Sequence, residues 1–335
     1  MLNKIYLRLM DKESRDIYKS RLLYSLTGDY DEIRRIVAAT KAAQQIRHRI
    51  GAIHDGEVYI WGAGFWGKWL VKSFPDIKWK GYVDSHPQAV VMNGLPIYES
   101  REFFSEYHNS VIVIASTFYH KEIYQQLLFA GVEENRIIDA GRMMLELFDD
   151  QYFDLPYLTH DENEVFVDVG CFDGMTVQNF IRWCNGKYKE ILSFEPDEKC
   201  YEKCKTALKD VKNLTLENTG LWSKEDILHF HETGVSDSHV DINGETQIRV
   251  GKLDDIAYGR KISFIKMDIE GAEKEAIMGA EEIIGNQKPK MAVSIYHKQE
   301  DIWELPKLLL EINPDYKFCL RHYSLRDAET VLYAV

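Results

Sequence analysis

The residues best suited to chemistry lie between Val165 and Glu195. The run Val165-Phe-Val-Asp-Val-Gly170 is an apolar strand carrying Asp168, and Cys171-Phe-Asp-Gly174 continues it as a glycine-containing turn. A helical stretch from Met175 to about Trp183 follows, then a second apolar strand, Ile191-Leu-Ser-Phe194, ending in Glu195. This is the pattern of the first βαβ unit of a doubly wound sheet. Gly170 and Gly174 allow close approach of backbone to a ligand, because neither has a Cβ. Glu195 stands where a carboxylate accepts hydrogen bonds from a ribose diol. Two further carboxylates, Asp168 and Asp173, sit in the turn itself. They would repel the pyrophosphate that a G-x-G-x-x-G turn meets and suit a cationic ligand instead. S-adenosylmethionine, with its ammonium and sulfonium, fits that charge pattern better than NAD does.

More polar groups follow at strand ends. Leu214–Glu217 reads as a third strand leading to Asn218, with Leu221 and Trp222 as apolar walls for an adenine ring. The strand Ile262–Met267 ends at Asp268, beside the point where strand order reverses and ligands bind. Glu270 and Glu273 open the next helix, where acids also suit the helix dipole. A strand from Met291 ends in Tyr296-His297. A neutral imidazole near pH 7 suits a general base, and His297 is the best single candidate for that role; a strand-end histidine bonded to a loop explains it equally well. A metal held by Asp268, Glu270 and His297 stays open, because their spacing is not diagnostic. His229 and His231 share a strand face that reads as solvated.

A second glycine turn lies upstream. Val58–Trp61 reads as a strand, Gly62-Ala-Gly-Phe-Trp-Gly67 as a tight turn, and Asp84 ends the next strand twenty residues past Gly64. That is the full dinucleotide context. Gly62, Gly64, Gly67 and Asp84 could hold a nucleotide or nucleotide-sugar, or the unit could serve packing alone. No Tyr-x-x-x-Lys pair occurs between residues 51 and 140, which counts against an NAD-dependent sugar oxidoreductase.

Elements positioning these residues follow from periodicity. The 335 residues suggest two α/β domains, with apolar content for two cores. Residues 1–55 read as a helical N-terminal segment, 56–141 as a Rossmann-like nucleotide-binding-type domain, 142–163 as a linker and 164–335 as a second doubly wound domain. Thr27-Gly28-Asp29 breaks the helical segment with a C-cap glycine and an N-cap, and the segment serves packing onto a neighbouring domain or a second subunit in a homo-oligomer. Residues 227–231 and 246–250 flank a polar loop, Gly234 to Gly244, a candidate acceptor lid. A net charge of −13 disfavours a nucleic-acid partner. Five cysteines with no C-x-x-C pair point to reduced thiols in the cytoplasm. The N-terminus lacks a signal-peptide core, and no apolar run is long enough to cross a bilayer.

Two stretches carry family resemblances. Residues 57–141 resemble the nucleotide-sugar-binding domain of bacterial amino-sugar acetyltransferases, through the G-A-G turn, V-D-S at 83–85, N-G-L-P-I at 93–97 and V-I-V-I-A-S-T at 111–117. The C-terminal half resembles FkbM-family S-adenosylmethionine-dependent methyltransferases: V-D-V-G-x-x-D-G at 167–174, F-E-P at 194–196, L-D-D at 253–255 and K-M-D-I-E-G-A-E at 266–273, then G-A at 279–280, K-P at 288–289 and His297. It departs from them at Cys171 and Phe172, and at Val293, Ser294 and Ile295, where the family often carries an acid. This resemblance implies a seven-stranded class I methyltransferase sheet and O-methylation of a sugar, glycan precursor or secondary metabolite, in keeping with polysaccharide biosynthesis. The acceptor would be a small molecule or glycan, nucleotide-linked or free. On this reading Asp168, Gly170, Asp173 and Gly174 take the methionine end of the cofactor, Glu195 the ribose, Asn218 and Leu221 the adenine, with Asp268 and His297 at the reacting centre. The alternative is a non-catalytic nucleotide-sugar-binding or assembly protein of surface-polysaccharide synthesis.

Overall fold

The computed structural model describes residues 1–107, 109–234 and 238–335. The chain folds as two units: residues 1–27, 152–321 and 329–335 form one, and 28–151 with 322–328 form the other.

The first unit is built on a seven-stranded sheet. We label its strands β1 (Val165–Val169), β2 (Glu190–Phe194), β3 (Leu214–Glu217), β4 (Phe264–Met267), β5 (Lys290–Ser294), β6 (Phe318–His322) and β7 (Thr330–Ala334). Their spatial order is β6-β7-β5-β4-β1-β2-β3. β1 pairs in parallel with β2 and β4, β2 with β3 and β4 with β5, whereas β7 runs antiparallel to β5. β1 is buried along its whole length, as expected of a central strand covered on both faces. The order reverses between β1 and β4, so the turns after these two strands border the crevice where such sheets bind ligands. A four-stranded sheet is inserted before β4. It contains Asp226–His231 paired antiparallel with Thr246–Gly251, as the alternating pattern predicts, plus short strands Gly220–Leu221 and His239–Val240. Residues 235–237 of the expected lid loop lie outside the described residues.

The second unit holds a six-stranded sheet ordered Val91–Met92, Leu95–Glu99, Trp79–Asp84, Val58–Trp61, Val111–Ile114, Ile137–Asp139. All neighbours are parallel except the first pair. Tyr59, Trp61, Phe103, Ile112 and Leu127 fill one core beside it. Both sheets thus match the expected Rossmann-like α/β class.

Two boundaries differ from the sequence reading. Residues 1–55 are not one segment: the helices Leu2–Arg8 and Lys12–Thr27 belong with the seven-stranded sheet. Ile5, Leu9 and Ile17 are buried, Met10 N–H donates to Phe318 C=O at 2.9 Å, and Asp11 pairs with Arg321 at 2.9 Å. Burial alone would raise the Asp11 carboxyl, but Arg321 and Ser14 outweigh it and bring it down to about 2. Nor are residues 142–163 a linker. The helix Ala140–Asp150 belongs to the second unit, and Tyr152, Phe153, Leu155 and Leu158 are buried in the first. Amphipathic periodicity announces helices but not which core they cover.

Gly170 is required for a reason other than ligand access. It adopts φ +83°, and a Cβ there would lie 2.1 Å from the Asp268 carbonyl oxygen. Gly186 shares a positive φ, +72°, but faces open space. Gly186→Ala should therefore cost about 1–2 kcal/mol of left-handed strain. Gly170→Ala adds a backbone collision and should cost clearly more, measured by urea unfolding of both variants. Equal losses would show that the strand ends part easily.

Candidate active site

The turn after β1 is held from below by a buried ion pair. Asp168 on β1 and Lys266 on β4 are register partners in adjacent strands. Their charged groups lie 3.2 Å apart, with side chains 0 and 2% exposed. Lys266 Nζ also donates to the Gly170 carbonyl at 2.6 Å, so it ties the turn to both strands. Burial pushes the Asp168 carboxyl up against the pull of Lys266. Burial would lower Lys266, but Asp168 and Asp268 outweigh it and hold the ammonium charged. Asp168 is expected at the methionine end of the cofactor; its carboxylate has no exposed surface here and meets the turn through Lys266. Asp173, partly exposed, accepts from Met175 N–H at 3.0 Å and so starts the helix Met175–Trp183. Gly174, φ +85°, packs against Leu208.

Glu195 at the tip of β2 braces the same turn. Its two oxygens accept from Phe172 N–H at 2.9 Å and from Asp197 N–H at 3.0 Å. Each carboxylate oxygen keeps acceptor capacity beyond these bonds. Burial outweighs the two backbone bonds and pushes Glu195 up to about 7. Asn218 donates to the carbonyls of Glu195 and Pro196 at 3.0 and 3.3 Å, which leaves its amide oxygen as the remaining polar handle. Leu221 is buried, and Trp222 packs on the core of the small sheet formed by Phe230, Ile248 and Val250. The apolar character of Trp222 serves that core first.

Past β4 and β5 a second cluster forms. His297 Nδ1 bonds Glu273 Oε1 at 2.9 Å, and Glu273 Oε1 also accepts from Ile269 N–H at 2.9 Å. On the other edge of the ring, Nε2 stands 3.4 Å from Asp268 Oδ1 and 3.5 Å from Glu270 Oε2. Tyr152 donates to Asp268 Oδ2 at 2.8 Å, and Tyr296 lies 3.4 Å from Oδ1 and 3.2 Å from Glu329 Oε1. Burial works against charge on His297, but Glu270 and Glu273 outweigh it and raise the imidazole well above its ordinary value. Burial likewise works against charge on Asp268, but His297 and Lys266 outweigh it and keep the carboxyl below the usual range. The sequence reading takes His297 as a neutral base; the carboxylates of Asp268, Glu270 and Glu273 around the ring favour its protonated form.

Sequence reasoning brings Asp268, Glu270 and His297 forward, and the fold does gather them. It misses Tyr152, Tyr296, Lys266 and Glu329 as site neighbours. Tyr152 reads as linker in sequence; its φ of +75° and the bond from its N–H to the Tyr333 hydroxyl leave no trace there.

In the second unit, Gly62, Gly64, Gly67 and Asp84 also meet at one sheet edge. Asp84 accepts from Ala63 N–H at 3.0 Å and His86 N–H at 2.9 Å, and a Cβ on Gly67 would lie 2.1 Å from the Gly62 carbonyl oxygen. The turn itself accounts for Gly62, Gly67 and Asp84, whereas a Cβ on Gly64 would meet open space. The five cysteines are free and buried, with Cys171 and Cys204 sulfurs 3.1 Å apart. No helix among the described residues is long and apolar enough to cross a membrane.

Residues 168–320 match the family model described as the methyltransferase FkbM domain. The chain is similar to the crystal structure of methyltransferase FkbM from Methylobacillus flagellatus KT, with 20% identity over 93% of this chain and 100% of that one, TM-score 0.54. It also aligns with Aeropyrum pernix fibrillarin in complex with natively bound S-adenosyl-L-methionine, 10% identical over 57% of this chain and 74% of that one, TM-score 0.36. A putative methyltransferase from Streptococcus mutans in complex with SAH aligns at 13% identity over 57% of this chain and 97% of that one, TM-score 0.35. No curated protein matches. The chain thus carries a methyltransferase FkbM domain and is a methyltransferase; such a domain implies S-adenosylmethionine-dependent methylation.

Removing one member of the buried pair should be costly. Lys266→Met leaves Asp168 uncompensated and should lower unfolding stability by about 3–5 kcal/mol, whereas Asp168→Leu combined with Lys266→Met should recover much of it. Urea unfolding checks this. A double variant no better than the single one would show that Lys266 matters through its carbonyl bonds instead.

Proposed function

From the methyltransferase FkbM domain we propose an O-methyltransferase that moves the methyl group of S-adenosylmethionine to a hydroxyl of a sugar, glycan precursor or secondary metabolite. The observation that carries this reading is the Glu195 carboxylate at the β2 tip, braced by the turn after β1 at the point where strand order reverses. A carboxylate fixed there is prepared to accept both ribose hydroxyls. Gly170, Asp173 and Gly174 border the methionine end, with Asp168 acting from behind, and Asn218 and Leu221 border the adenine.

The reaction is an in-line displacement: the S–CH3 bond breaks, an O–CH3 bond forms, and the acceptor hydroxyl loses its proton. Alignment at about 3–3.5 Å supplies much of the rate. Asp268 and His297 face the acceptor, with Tyr152 and Tyr296 fixing Asp268. A base takes that proton: His297 in its deprotonated form, assisted by Asp268, with a divalent cation among Asp268, Glu270 and His297 as the alternative. The Gly62–Gly67 unit serves as a second, nucleotide-sugar-type or packing domain, and an acidic chain suits a non-nucleic-acid acceptor.

Calorimetry with S-adenosylhomocysteine tests the donor site. One site per chain is expected. Glu195 must be ionised to accept two hydroxyls, so affinity should rise as pH increases through about 7, the value to which burial raises it. Glu195→Gln should lower affinity roughly ten- to hundred-fold, as loss of hydrogen bonds to a charged group does, and flatten that pH dependence. No heat with S-adenosylhomocysteine, alongside binding of NAD or a UDP-sugar, would sink the reading.

A further inference from the structure

Glu195 is held by two peptide N–H groups, from Phe172 on one side and Asp197 on the other. What fixes those two residues in turn lies in the inserted four-stranded sheet. Asp197 is 1% exposed, and both its carboxylate oxygens are engaged. Oδ1 accepts from Cys200 N–H at 3.0 Å and caps the helix Glu198–Ala207. Oδ2 accepts from Gly234 N–H at 3.0 Å and from the Ser238 hydroxyl at 2.6 Å. The Gly234 carbonyl accepts from Lys203 Nζ at 2.6 Å, and that ammonium stands 5.4 Å from the centre of the Phe172 ring. Both backbone polar groups of Gly234 are thus gripped by residues that border Glu195.

A helix cap needs only one of the two oxygens. The other reaches 37 residues along the chain, past the strand Asp226–His231. Burial works against charge on Asp197, but Ser238, Cys200 and Gly234 outweigh it and keep the carboxyl below the usual range. Gly234 has φ +70°, and a Cβ there would lie 2.9 Å from Lys199 Cδ, so glycine lets the two segments come this close. Glu232 adds a charge contact with Lys199 at 3.6 Å.

We propose that Asp197 is a positioning residue for the methyl donor: its carboxylate, anchored on Gly234 and Ser238, fixes the peptide whose N–H holds Glu195. Asp197 acts through Glu195 and not on the reacting atoms. Lys203 supports the opposite side, through Gly234 and Phe172. Coupling of this kind is reciprocal, so a ligand bound to Glu195 steadies Gly234. The inference rests on the assignment of Glu195 to the donor ribose.

The test is S-adenosylhomocysteine calorimetry on the full chain across the neutral pH range. Asp197→Asn keeps an oxygen for the Cys200 cap but turns an amide NH2 toward Gly234 N–H, which breaks the link. Affinity should fall roughly 3–30-fold, the size of effect carried through an intervening residue. The pH midpoint of binding separates positioning from plain charge. The Asp197 N–H bond favours ionised Glu195, and the Asp197 charge disfavours it. Loss of the bond moves the midpoint above about 7, whereas loss of the charge with the bond intact moves it below. The upward move is expected. The other charged and titratable groups acting on Glu195, Lys266 and the thiols of Cys171 and Cys200, are the same in this variant. Lys203→Met should also weaken binding, and the double variant should lose less than the sum, because both act through Gly234. Asp139→Asn, at a buried helix cap in the second unit, should leave affinity and midpoint unchanged. Hydrogen exchange at Gly234 should slow with S-adenosylhomocysteine in wild type and not in Asp197→Asn. If Asp197→Asn does not fold, Lys203→Met and Ser238→Ala carry the test. Unchanged affinity, a lowered midpoint, or protection of Gly234 that persists in Asp197→Asn overturns the positioning role and leaves the donor reading intact. No binding to wild type overturns the donor reading and this inference with it.

Discussion

Lys266 joins the ends of two central strands that diverging turns would otherwise pull apart. Its ammonium lies 3.2 Å from Asp168, donates to the Gly170 carbonyl, and sits 5.4 Å from the centre of the Tyr152 ring. A charge so deeply buried is tolerable only with a partner and good hydrogen bonds. The pair therefore fixes the register in which β1 and β4 end. Gly170 follows from it, because strand ends this close leave no room for a Cβ beside the Asp268 carbonyl. One constraint thus sets both the turn after β1 and the direction in which Asp268 leaves β4.

Both halves of the candidate site descend from that junction. On the β1 side, the turn reaches Glu195 through Phe172 N–H. On the β4 side, Asp268 meets Tyr152, Tyr296 and His297, and His297 is gripped by Glu273. The charges are coupled across it: Lys266 stabilises ionised Asp268, which in turn stabilises charged His297. Deletions within such a network are not additive, so the effect of any one residue reflects the rearrangement of the others.

Much of this is legible in the chain. Alternation of apolar strands with amphipathic helices marks both parallel sheets, and strand-end acids mark the edge that carries the site. What stays hidden is three-dimensional pairing. Asp168 looks like a ligand in sequence because nothing local shows Lys266, 98 residues later, as its register partner. His297 shows nothing in sequence of the carboxylates around it, because Glu270 and Glu273 look like helix-capping acids. Tyr152 looks like linker because its reason for being buried lies at Asp268 and Tyr333. Residues 1–27 read as one segment with residues 28–55 because Arg321, which holds Asp11, is at the other end of the chain.

The central claim is that the edge formed by β1, β2 and β4 holds the methyl donor. A crystal structure with S-adenosylhomocysteine tests it most directly. The account predicts one molecule per chain in the first unit, its ribose on Glu195 and its sulfur directed toward Asp268 and His297. Density for it at the Gly62–Gly67 turn, or a sulfur facing away from Asp268, would contradict the account.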